Sequence, residues 1–171
     1  LEIARVLAGY ASKRSIWFIC CNEEHTPWTS VTAANNARER GDNIIAVFNL
    51  DSLGRKSQDD HDARVMANVT LFTTPEGERL ADLMAEVNER YAIGLQQRKH
   101  QRQAPGDDDG SFVKAGYAAA IMNLGSYPYA DPEYHTEEDK PARVDLPNVL
   151  LTTQASLAAI VTVDREASGE S

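Results

Sequence analysis

Three short apolar runs, RSIWFICC (14–21), NIIAVFNL (43–50) and AAAIMNL (118–124), alternate with amphipathic stretches, and this alternation limits the fold more than any other feature. Runs of this length, rich in β-branched and aromatic side chains, read as strands buried on both faces. Such strands need helices above and below. The pattern therefore predicts an α/β domain with three layers, α/β/α, around a mixed, mostly parallel central sheet. Helices are expected at 1–8, at 27–40 with Gly41 as the stop, at 75–92, at 111–117 closed by Gly116, and at 146–163. VTLFT (69–73) reads as a short edge strand, 54–69 as irregular, and 96–111 and 125–145 as long polar loops.

A chain of 171 residues suits one domain with a real core, here 1–171, with 164–171 expected as a disordered acidic tail. No apolar run approaches the roughly 18 residues that span a bilayer, so no membrane partner is expected. The 17 basic and 26 acidic residues give a formal charge of -9 without a basic stripe, which argues against nucleic acid. Cys20 and Cys21 are neighbours on an expected strand and point to opposite faces, so they do not bridge and do not identify a compartment. The chain opens directly on a helical pattern, LEIARVLAGY, without an initiator Met, and reads as part of something longer.

In sheets of this kind ligands bind at the carboxyl ends of strands. Glu23 and Glu24 follow the first run, Asp51 follows the second, and Asp107 to Asp109 with His135 flank the third. Carboxylates and an imidazole on loops at one sheet edge suit a divalent metal of the zinc class. Without a cation, such crowding would raise the carboxyl pKa values and cost stability. Each residue also has a plain structural reading: Asp51 as a loop cap, His135 as a surface histidine. His25 reads as a loop residue, His61 and His100 as solvated, Trp28 and Phe112 as packing residues. Tyr127 and Tyr129 either line a pocket or seal their loop onto the core.

The segments LEIARVL, WFICCNEE, NIIAVFNLDSLG, GDDDGSFVKAGY and YPYADPEYHTEED, in that order, resemble the successive signatures of the co-catalytic zinc aminopeptidases of metallopeptidase family twenty-eight. The resemblance covers nearly the whole chain and implies a zinc-exopeptidase-like fold lacking its N-terminal strands. It implies Glu23 as the general base and Glu24 as a ligand of one zinc. Asp51 then serves the other zinc, and His135 shares a zinc with Glu24. Asp108 matches the aspartate of an S-D-H pattern and Asp109 stands in place of its histidine; with Tyr127 and Tyr129 they are the substrate-binding candidates. The family's remaining His and bridging Asp precede the LEIARVL segment.

The implied function is hydrolysis of an N-terminal peptide bond by zinc-activated water, with a peptide as substrate. A glutaminyl cyclase-like transferase of the same fold and a non-catalytic binding domain are the alternatives. Of the family's two zinc ions at most one is expected on this chain, which is expected to be inactive or impaired alone. The exposed sheet edge is expected to drive self-association. Relatives are often secreted or periplasmic, and no signal-peptide pattern settles the localisation of this chain.

Overall fold

The computed structural model describes residues 1–22 and 26–166. Its elements run α1 (Glu2–Leu7), α2 (Thr29–Arg40), β1 (Val47–Leu50), α3 (Gln58–Asp62), β2 (Ala67–Phe72), α4 (Pro75–Arg90), β3 (Gln96–Gln101), α5 (Asp107–Lys114), β4 (Ala120–Leu124), a 3-10 turn (Pro141–Arg143) and α6 (Leu146–Glu166). The strands form one mixed sheet in the order β1-β4-β2-β3. β1 pairs in parallel with β4 and β2 with β3, while β2 and β4 run antiparallel.

Burial on both faces makes the three layers. On one face Leu80, Met84 and Val87 of α4 and Ala155 and Ala159 of α6 pack against Phe72 and Ile121. On the other, Ala34 of α2 joins Phe112 and Ala115 around Val47. The helix ends follow local chemistry. Thr74 caps α4, its Oγ1 accepting from Gly77 N at 2.9 Å, with Pro75 in the first turn. Gly41 ends α2 in the left-handed conformation at φ 72°. Asn148 fastens the start of α6. Its Nδ2 donates to Leu53 O at 2.7 Å and Ala67 O at 2.9 Å, while Oδ1 accepts from Ala67 N at 2.7 Å.

The α/β architecture agrees with the sequence, but several elements differ. RSIWFICC is not a strand: residues 15–22 pair with no strand among the described residues, and Trp17, Phe18 and Ile19 are 50%, 50% and 43% exposed. An apolar run becomes a strand only beside a hydrogen-bonded neighbour, and these residues form no ladder with β1, the strand at that end of the sheet. β2 is longer than VTLFT and lies inside the sheet, not at its edge. Its polar residues disguise it. Asn68 Nδ2 and Thr70 Oγ1 both donate to Asn123 Oδ1 on β4, at 2.9 and 2.7 Å, so these donors are answered inside the sheet, although Asn68 Oδ1 and Asn123 Nδ2 are buried without partners.

The expected loop at 96–101 is instead the edge strand β3. An edge strand wet on both faces shows no alternation, so QQRKHQ carries no apolar signal. α5 starts four residues earlier than expected, because Asp107, Asp108 and Asp109 favour the positive end of a helix. α6 continues through Glu166 with Asp164 buried, so the expected tail begins no earlier than 167. Tyr10 Oη donates to Asp164 at 2.8 Å, and the Lys13 and Arg14 amides donate at 3.0 and 2.9 Å. Burial alone would raise the Asp164 carboxyl; these donations hold it below its usual range. α6 is also long and apolar enough to cross a membrane by length and composition, with a mean hydropathy of 1.5, contrary to the reading that no run comes near that length. In the fold it covers the sheet.

Candidate functional site

Along the outer side of β1 runs a groove of about 1420 Å³, walled on the far side by residues 13–21. At its carboxyl end it is lined by Asp51, Asp108, Asp109, Tyr129, His135 and Asp139. Three separate elements deliver these side chains. Asp51 directly follows β1, tied to β4 by its amide donating to Asn123 O at 3.1 Å. The first turn of α5 brings Asp108 and Asp109. The loop after β4 brings Tyr129 and His135, whose ring stacks on Tyr134 at 3.8 Å between centroids.

Five of the eight residues singled out from the sequence therefore share one groove wall: Asp51, His135, Asp108, Asp109 and Tyr129. Tyr127 does not join them. It is 44% exposed and packs on His100 of β3 at 4.4 Å, apart from the groove. Tyr129 is half-buried against Val69, Leu71, Met122 and Leu124 and stands edge-on to Tyr134 at 5.0 Å, sealing its loop while lining the groove. Burial raises its phenol, opposed by a hydrogen bond with Ser52. Glu23, Glu24 and His25 lie outside the described residues. The sequence reading missed Arg102, Asn49 and Ser52. Arg102 was hidden in a stretch without apolar periodicity.

Arg102 follows β3 with a side chain only 9% exposed, and its guanidinium pairs with Asp107 at 2.8 Å and with the fully buried Asp109. Even so, the Asp109 pKa is raised to about 6, because burial outweighs the attraction of Arg102, and the nearby Asp107 adds to the rise. The Asn49 amide opposes it weakly. The folded chain thus holds this proton more tightly than the unfolded one. Stability is expected to fall as pH rises from about 4 to about 6 and to level off above, by an amount on the order of 3 kcal/mol. Urea unfolding of Asp109→Asn should lack that decline, so the variant gains on the parent chain between pH 4 and pH 8. Parallel pH profiles for both would contradict it.

Asp51 Oδ1 accepts from Ser52 Oγ at 2.8 Å, and the carboxylate is otherwise exposed to the groove. Ser52 at φ 50° and His135 at φ 61° are left-handed positions that turn these loops sharply at the site. A strand-end carboxylate and an imidazole on one groove wall are the right donors for zinc. Among the described residues no three His, Cys, Asp or Glu side chains converge on a common point. In kind, then, the donors fit a zinc ion, and in number they need Glu24 or another group from outside the described residues.

A family model for peptidase family M28 matches residues 1–160. Comparison with curated protein sequences finds no match. Among solved structures, the LapA aminopeptidase of Legionella pneumophila aligns with a TM-score of 0.74 at 20% identity, over 95% of this chain and 44% of that one. A second LapA structure gives 0.76 at 21% identity, over 95% and 45%. BSAP, a zinc aminopeptidase from Bacillus subtilis, gives 0.66 at 20% identity, over 95% and 39%. The chain spans less than half the length of these structures, and at such identities the likeness establishes the fold: a mixed sheet between helix layers.

Proposed function

The chain belongs to peptidase family M28, and from that premise we propose that it forms part of a zinc-dependent aminopeptidase site that hydrolyses the N-terminal bond of a peptide. The observation that carries the reading is the convergence of Asp51 and His135 on one groove at the carboxyl end of β1, with Asp108 and Asp109 beside them. Asp51, His135 and Glu24 are the proposed ligands. Zinc, when bound there, would supply a Lewis acid that polarises the scissile carbonyl and makes water acidic. The chain's own contribution begins with Glu23, which takes the proton of the attacking water and delivers it to the departing amine. Asp108 and Asp139 give the groove mouth a negative rim that attracts a peptide's terminal ammonium. Tyr129, held edge-on by Tyr134, walls one side and limits where the first residue can lie.

The proposed stoichiometry is at most one zinc on this chain, because Glu24 and His135 share one ion while Asp51 alone is assigned to the other. Equilibration with zinc followed by metal analysis should give about one ion per molecule or fewer. His135→Ala should reduce it toward background, whereas Asp51→Asn should leave most of it. Two tightly held ions per chain would sink this ligand set. In a polypeptide that carries the complete site, chelator-sensitive release of nitroaniline from aminoacyl-nitroanilides is the expected activity. Conversion of a glutaminyl peptide to a pyroglutamyl one instead would reassign the reaction.

A further inference from the structure

Asp51 and His135 lie far apart in sequence, yet metal ligands must be held to within about 0.2 Å of their proper distances. Burial does not hold His135, since its loop is exposed from Tyr134 to Lys140. Backbone bonds fasten the ends of that loop: Gly125 N donates to Ser52 O at 3.2 Å and Asp145 N to Gly54 O at 2.9 Å. Neither reaches its middle, where His135 sits at a φ of 61°.

We propose that Arg55 is the positioning residue for this stretch: its guanidinium clamps the His135 loop onto the loop of Asp51 and so sets the two ligands relative to each other. The inference rests on the zinc reading given above. Arg55 stands just beyond Asp51, and its backbone is wedged against the end of β4, where a Cβ on Gly125 would collide with Arg55 O. From this fixed base Nη2 donates to Asp131 Oδ1 at 2.7 Å and lies 3.7 Å from Glu133 Oε2, while Nη1 donates to Arg143 O at 3.2 Å. Arg143 Nη1 pairs in turn with Glu133 at 2.7 Å. Two cations face two carboxylates, so the network is neutral in sum. It also shapes the turn that carries His135. Glu133 N donates to Asp131 Oδ1 at 3.1 Å, and Thr136 N to Glu133 O at 2.9 Å. The Asp131 side chain is only 2% exposed. Without Arg55 its carboxylate would be buried unpaired, and the loop would open to wet it. A lysine, being a point charge, lacks the planar fork that reaches Asp131 and Arg143 together.

Arg55→Met tests the clamp, with Asp131→Asn as a second variant and Arg98→Met as the control. Arg98 holds the buried Asp60 on the β3 side by the same kind of pair, at 2.7 and 2.6 Å, away from the groove. All three should keep the far-UV circular dichroism of the parent; should Arg55→Met not fold, Asp131→Asn carries the same readouts. In the metal-free chain, proton resonance should show contacts between the Tyr134 and Tyr129 rings and an upfield shift of the His135 ring stacked on Tyr134. Both should be lost in Arg55→Met and kept in Arg98→Met. Cobalt(II) affinity, read from the visible absorption of the bound ion, should fall about 10–100-fold in Arg55→Met, with a spectrum approaching that of His135→Ala. Combining Arg55→Met with Asp131→Asn should cost little more than Arg55→Met alone, because the two act as one unit. Unaltered ring contacts in Arg55→Met overturn the proposal, as do equal losses in Arg98→Met or additive losses in the double variant. A parent chain that binds no cobalt sinks the zinc reading instead, and the ring contacts then decide whether Arg55 holds the loop.

Discussion

Glu23→Gln is expected to lower aminoacyl-nitroanilide turnover by roughly 10²–10⁴-fold in a polypeptide carrying the complete zinc site. Glutamine keeps the size and shape of glutamate, but its amide does not accept a proton from water at neutral pH. The loss should therefore fall on kcat, with KM and zinc content nearly unchanged, since Glu24 remains to bind metal. Removing a ligand does the reverse. Asp51→Asn should lose zinc and activity together, and added zinc should restore part of both. Turnover that survives Glu23→Gln would refute the base assignment. Parallel loss of zinc would move Glu23 from base to ligand.

Asn148→Leu is expected to be the most damaging single substitution away from the site, costing about 3 kcal/mol or more in denaturant unfolding. The side chain is fully buried and makes three hydrogen bonds to backbone groups, Ala67 N, Ala67 O and Leu53 O. Leucine would bury all three without partners, and each such group costs about 1–3 kcal/mol. Partial relaxation keeps the total below the full sum. Thr152, one turn further along α6, is the control. It is also fully buried, but its Oγ1 has no hydrogen-bond partner. Thr152→Val should be neutral or stabilising. A loss below about 1 kcal/mol for Asn148→Leu would show that the joint between α6, β2 and the Leu53 turn is not a structural tie. Because Leu53 lies two residues beyond Asp51, the same variant should also weaken zinc binding.

The readability of each element follows from how completely its environment is encoded nearby. Helix α4 was legible because Leu80, Met84 and Val87 repeat at helical spacing and Thr74-Pro75 marks its start. The second half of NIIAVFNL and the end of AAAIMNL were legible as apolar runs. Strands β2 and β3 were not, because their polar groups are answered by side chains far away in sequence. Asn68 meets Asn123, Arg98 meets Asp60, and Lys99 meets Glu78 and Asp82. No local window contains such a pairing. RSIWFICC failed in the opposite direction: its composition is that of a strand, yet a strand is a property of two chains of backbone and not of one.

Among site residues, Asp51 and His135 could be placed from the rule that ligands gather at strand ends. The separation of Tyr127 from Tyr129 could not, since two residues in one loop give no hint of which distant side chains each will pack against. The titration of Asp109 was equally hidden. Its shift arises from burial within the first turn of α5, which outweighs the attraction of Arg102 seven residues earlier, and no local window reveals that burial.

What the order of residues alone determined is the chemistry available: an α/β chain whose strand ends carry carboxylates and an imidazole, in the signature order of a zinc peptidase family. What the tertiary structure decided is which of these groups meet. It joined Asp51, Asp108, Asp109 and His135 along one groove and sent Tyr127 to the edge formed by β3, which charged pairs guard. The physical reason is that residue type and local spacing set what a segment can bond with, whereas strand order and register, settled by contacts across the whole chain, set what it does bond with.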